Sequence, residues 1–141
     1  PAVETTAVNE ASGTLHPLTA YNLVPGQTDS SPCIGAANQN LCYLMREKKM
    51  NVCAAPLSYP FGTIIRIPGY EGSQKDKVDD TCVVLDRMAA KHPDGVDICM
   101  DQDIPRALSI KQNSYITVVG YVENWRQLAP ASKKEFQTPI R

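Results

Sequence analysis

The feature that most constrains this chain is the shortness of its β-prone runs. Six of them, TAYNLV (19–24), NVCAA (51–55), GTIIRI (62–67), TCVVLD (81–86), VDICM (96–100) and SYITVVGYV (114–122), stand between turn signals such as PFGT, IPGYEG and HPDGVD. Val, Ile, Thr and Tyr suit a pleated surface, and frequent Gly/Pro punctuation argues against the crossover helices of βαβ units. The expectation is an all-β fold, a small closed barrel or sandwich of six strands with irregular loops. Two short helices are predicted between them. One is NLCYLMREKK (40–49), with its basic residues late; the other lies around DIPRALSI (103–110), where Asp103 can cap and Pro105 falls in the first turn. Residues 1–16 are rich in Thr, Ala, Glu and Ser without periodicity and read as a flexible lead-in. Residues 123–141 read as a polar tail, so that one domain is expected over 17–122.

Charge narrows the partners. Fourteen basic and 15 acidic residues are mixed along the chain for a net charge of −1, with no basic stripe to neutralise a phosphate backbone, so nucleic acid is not expected. No apolar run approaches the roughly 20 residues that cross a bilayer, and no membrane span is expected. The opening PAVETTAVNEASG lacks the basic start and apolar stretch of an export signal, and the first residue is Pro1; a processed product whose signal segment has been removed is expected.

The five cysteines, at 33, 42, 53, 82 and 99, form no C-x-x-C pair and have no histidine at ligand spacing, which speaks against zinc. Two disulfides and one leftover thiol in an oxidising compartment fit better, and the expected location is secreted or extracytoplasmic, in periplasm or cell wall. Cys33 and Cys42 are the first expected pair, since the polar loop between them can bring them together; the other partners stay open. A monomer without metal or organic cofactor is expected.

The stretch VVLDRMAAKHPDGVDICM (83–100) carries the chemistry. Asp86 ends one β-prone run and Asp97 stands near the start of the next. If the two strands lie side by side, both carboxylates can face one cavity. Like charges held close, with an apolar wall of Val84, Val96 and Ile98, raise one pKa and keep that carboxyl protonated. A glycosidic bond requires such an acid, because the departing sugar oxygen leaves poorly until it is protonated. Asp97 is the candidate acid. In a hydrolase the second carboxylate acts as nucleophile or water-activating base, and the separation of the two distinguishes these roles. In a lytic transglycosylase one acid suffices, recovering its proton from the sugar's own 6-hydroxyl as an anhydro ring closes. Asp86 then holds a hydrogen-bond network or stabilises positive charge at the sugar.

The order TAYNLVPGQTDSSPCI, AAPLSYPFGTIIRIPGY and VVLDRMAAKHPDGVDICMDQDIPRAL resembles the three-aspartate (3D) domain, a six-stranded double-psi β-barrel of bacterial wall enzymes. Its relatives include membrane-bound lytic transglycosylase A, rare lipoprotein A, the stationary-phase survival enzymes and, more remotely, expansins and family 45 endoglucanases. The resemblance covers about 17–122, with P-F-G-T, I-P-G and D-R in the expected order and Asp86 and Asp97 at the family's separation of eleven. It implies a peptidoglycan-directed lytic transglycosylase or related glycan-cleaving enzyme, with Asp97 as acid and Asp86 its companion. Asp29, in QTDS, stands for the remaining acid ahead of Asp101 and Asp103; Tyr21, Thr28 and Arg87 join Asp29 as expected sugar contacts. The alternative is a non-catalytic polysaccharide-binding module, expansin-like or barwin-like. The glycine-rich loop of many members is replaced here by DRMAAKHPDG, and two cysteines follow Asp29.

Plainer roles compete at each position. Asp86 and Arg87 could form a surface ion pair worth under about 1 kcal/mol. Asp97 could face solvent by strand alternation. His92, between Lys91 and Pro93, reads as a turn residue, and His16 falls in the lead-in without a better claim. Tyr21 serves a small barrel equally well as core or as a sugar platform. Trp125 caps the barrel or sits in the tail, and the four methionines read as packing.

Overall fold

A computed structural model of the chain describes residues 1–23, 33–70, 80–101 and 112–131. Thr28, Asp29 and the helix expected at 103–110 lie outside the described residues. The elements are β1 (Thr5–Ala7), β2 (Thr14–Asn22), α1 (Leu41–Arg46), β3 (Val52–Ala55), β4 (Thr63–Arg66), β5 (Thr81–Arg87), β6 (Val96–Met100), β7 (Gln112–Val122) and α2 (Trp125–Leu128). Each of the six β-prone runs overlaps a strand.

Six strands close a mixed barrel in the order β7-β2-β6-β3-β5-β4, with β4 returning to β7, and β1 adds a seventh strand on β7. The pairs β2/β6 and β3/β5 are parallel and the others antiparallel. The length of β7 closes the barrel: Gln112–Ile116 pair with β2 and Thr117–Tyr121 with β4. The expected side-by-side placement of β5 and β6 is corrected, because β3 runs between them.

Strand alternation sorts the side chains into two apolar layers. Leu18, Cys53, Ile65, Cys82, Val84, Val96, Ile98, Met100 and Ile116, contributed by all six strands, fill the barrel. The outer layer joins Tyr21, Val52, Ala54, Val83, Leu85 and Cys99 to Leu41, Leu44 and Met45 of α1 and to Leu128. All four residues of β3 are therefore buried, one face by the barrel and the other by the helix. Each fully buried Leu or Ile contributes about 1.5–3 kcal/mol.

Helix α1 is shorter than its predicted span. Asn40 caps it, its side chain accepting from the Tyr43 N–H at 3.0 Å. Past Arg46 the chain turns through Lys49 at φ 55°, a left-handed conformation that ends helical propagation. Arg46 makes two 2.8 Å bonds to Asp101, tying the helix end to the chain just past β6. The stretch expected as a flexible lead-in contains β1 and the first three residues of β2. Pro17 obscures this strand in the sequence, since proline cannot donate to a ladder. It is accommodated because β2 up to Pro17 pairs only with β7, and β6 joins from Leu18 onward. In the expected tail, α2 buries Leu128 and the following Ala129. Backbone bonds Asn40 N–H to Ala129 O and Ala131 N–H to Asn38 O strap this segment beside α1.

Cys33 pairs with Cys42 as expected, Cys53 pairs with Cys82, and Cys99 is a buried free thiol. The second bridge staples β3 to β5 inside the barrel. Among the described residues no helix is long and apolar enough to cross a membrane.

Candidate functional site

The two aspartates come to share one face through a defect in the β3/β5 ladder. Cys53 pairs with Val84, but the next residue, Ala54, pairs with Asp86, leaving Leu85 as an extra residue. Without this bulge, alternation would send Asp86 inward with Val84; with it, Asp86 shares the outward face of Ala54. On its other side Ala54 pairs with Asp97. The row Asp97–Ala54–Asp86 thus holds two carboxylates on one face across a small side chain, with Cα atoms two strand spacings, about 10 Å, apart.

Their surroundings differ. Asp97 has Thr19 as its register partner on β2, and the Thr19 hydroxyl donates to it at 2.9 Å. Burial pushes the Asp97 carboxyl up to about 6; the Thr19 hydrogen bond opposes this and the Asp86 charge adds to it. Asp97 opens onto a cavity of about 400 Å³. One wall is the outward face of β2 and β6, with Pro17, Thr19 and Asp97; the other is the loop carrying Met88, Ala89, His92 and Pro93. Asp94, in the same loop, also lines the cavity.

Asp86 does not line it. One oxygen accepts from the Tyr21 hydroxyl at 2.7 Å and the other from the backbone N–H groups of Ala36 at 2.8 Å and Arg87 at 3.0 Å. Asp86 therefore clamps the disulfide-closed segment after Cys33 onto the barrel. Gly35 permits that approach, because a Cβ there would come 2.7 Å from the Leu85 carbonyl oxygen and 2.9 Å from Leu41 Cδ1.

Tyr21, considered as a sugar platform, is 9% exposed, and its ring belongs to the outer core with its hydroxyl on Asp86. Burial, then the nearby Cys99 and Asp86, push the Tyr21 hydroxyl well above its ordinary range; burial does the same to the Cys99 thiol. Arg87 turns to the β3–β4 connection. Its Nη1 donates to the carbonyls of Pro56 at 2.9 Å and Tyr59 at 2.6 Å, and its guanidinium lies 4.1 Å from the Phe61 ring centre. Burial lowers its pKa, with the Asp86 charge acting the other way. Of the expected site residues described, Asp97 alone lines the cavity; Asp86 and Tyr21 stand behind it and Arg87 is engaged elsewhere.

Thr19, His16 and Asp94 were not singled out from the sequence for this site. His16 is buried inside strand β2, one ring nitrogen 2.7 Å from the Asp94 carbonyl oxygen and the other 2.7 Å from the Tyr59 hydroxyl. It thereby moors the cavity loop to the barrel. His92 holds two consecutive turns, its N–H donating to Ala89 O and its carbonyl accepting from Gly95 N–H. The alternation His16, Leu18 was a usable signal for an inward histidine; nothing local marks Thr19 as the partner of Asp97. Among the described residues no group of three His, Cys, Asp or Glu side chains is gathered to hold a metal ion. No family model, curated protein or solved structure matches the chain.

Proposed function

We propose that the chain is a glycan-cleaving enzyme of the three-aspartate type, a peptidoglycan-directed lytic transglycosylase with Asp97 as its general acid and base. The observation that carries this reading is a carboxyl titrating at about 6 at the edge of a cavity. At neutral pH a useful fraction of such a group holds a proton, while its conjugate base is still strong enough to take one back. A closed six-stranded barrel with two parallel strand pairs is compatible with the double-psi architecture that the sequence resembles. The two disulfides support an extracytoplasmic setting.

In this mechanism Asp97 donates its proton to the glycosidic oxygen as the bond from that oxygen to the anomeric carbon breaks. Positive charge develops at the ring, and the cavity carboxylate of Asp94 offsets it. The sugar's 6-hydroxyl then attacks the anomeric carbon and returns its proton to Asp97, closing the anhydro ring without consuming water. Asp86 acts through position: its charge helps hold the proton on Asp97, and its three donors fix it there. That engagement makes Asp86 a poor candidate for a water-activating base, which favours the single-acid route over hydrolysis.

Incubation with purified wall sacculi is expected to release anhydro-muropeptides detectable by mass spectrometry, and Asp97→Asn to release none. Release by the variant at the wild-type rate would refute the assignment of Asp97. A non-cutting polysaccharide-binding module is the second reading, favoured by the lack of a free second carboxylate in the Asp97–Ala54–Asp86 row. Retention on insoluble sacculi with no soluble product from the wild type would select it.

A further inference from the structure

We propose that the outward face of β2 and β7 carries a second sugar subsite, a ledge of Tyr115 and Leu15 that receives a pyranose ring of the same glycan chain held at Asp97. This rests on the glycan reading above. Tyr115 and Leu15 are register partners, 64% and 50% exposed, so they form one continuous apolar step. Scattered surface hydrophobes need no explanation, but a contiguous pair leading into a cavity does. The strand continues on the same face to Pro17 and Thr19, which line the cavity, and Thr19 is the partner of Asp97. Among the described residues, the other exposed large hydrophobics, Val3, Val8, Leu57 and Tyr121, are not aligned with the cavity in this way.

The chemistry selects the occupant. A tyrosine ring is large and rigid, its face is electron-rich, and its hydroxyl tolerates water, which suits the C–H face of a pyranose with hydroxyls at its rim. The step is two side chains wide, far short of the roughly 1,200 Å² that a stable protein partner buries. Thr19 is four residue steps along the strand from Leu15, about 13 Å, and Tyr115 lies one strand further from Asp97. A ring on the ledge and a linkage at Asp97 thus belong to one oligosaccharide, never to a disaccharide. The ledge selects for chain length.

The test uses Asp97→Asn, which cannot cut, with two soluble probes prepared from stripped wall glycan: a disaccharide and an octasaccharide of alternating N-acetylglucosamine and N-acetylmuramic acid. Calorimetry is expected to show tighter binding of the octasaccharide. Adding Tyr115→Ala should weaken it about five- to tenfold while leaving the disaccharide unchanged, and Tyr115→Phe should retain the full affinity. Equal binding of the octasaccharide with and without the tyrosine overturns the ledge and leaves the Asp97 site standing, as does an equal loss for both probes. Failure of both probes to bind overturns the glycan reading and the ledge with it. Because Tyr115 is largely exposed, an unchanged unfolding midpoint in the variant serves as the folding control.

Discussion

Asp97 holds its proton to about pH 6, against 3.8 for an ordinary aspartate, which bears on stability and, in the proposed mechanism, on rate. Between those two values the folded chain keeps a proton that the unfolded chain has released. The contribution is fully present below pH 3.8 and is lost as pH rises through 6. Its size is about 2–3 kcal/mol. Asp97→Asn, neutral at every pH, should therefore be more stable than wild type at pH 7.5 by about that amount, and the advantage should fade toward pH 3.5 in urea titrations at both values. An equal difference at the two pH values would show that the carboxyl is not perturbed. In the proposed mechanism the same proton sets the rate, so kcat/KM on wall glycan should fall as pH rises past 6. Thr19→Val removes the bond that favours the charged form, so that limb should move to higher pH.

At the scale of elements, the site depends on one extra residue in β5. The run TCVVLD announces a strand, because β-branched residues between turns carry that signal locally, and the same holds for the other five runs. Alternation within it, however, places Asp86 on the inward face with Cys82 and Val84. Only the shift at Leu85 brings it outward, and what holds the bulge is the docking of Gly35 and Ala36, more than forty positions earlier in the chain. Adjacency was hidden for the same reason. Asp86 and Asp97 read as ends of neighbouring strands, whereas Ala54 arrives between them from a distant segment, and no local pattern encodes such a pairing. Gly35→Ala tests the docking. Its Cβ would stand too close to a backbone carbonyl for either to yield cheaply, so a loss of about 1–3 kcal/mol is expected in urea unfolding. Faster amide exchange at Ala36 should accompany it, since the N–H that reaches Asp86 must move. An unchanged exchange rate at Ala36 would mean that the clamp does not depend on this approach.

For the molecule as a whole, the two disulfides divide the labour between holding the barrel and shaping its site. Cys53–Cys82 lies inside the barrel and closes 29 positions; Cys33–Cys42 closes nine and belongs to the outer layer beside α1. On loop-closure entropy alone the first is worth about 3.5 kcal/mol and the second about 2.5. Replacing a half-cystine by alanine also removes buried sulfur from the core, which deepens both losses. The distinction lies in what else each bridge positions. Segment 33–42 supplies the Ala36 N–H to Asp86 and lies against Ala129–Ala131 through Asn38 and Asn40, whereas Cys53 and Cys82 do not line the cavity. Cys33→Ala/Cys42→Ala should thus lower kcat on wall glycan well beyond what its unfolded fraction explains, with the pH limb of Asp97 shifted as Asp86 loosens. Cys53→Ala/Cys82→Ala should unfold at lower urea, yet its folded fraction should cleave normally with the wild-type pH limb. If both pairs alter the limb alike, the bridges do not act separately, and the outer layer positions Asp86 only as part of a barrel that stands or falls as one unit.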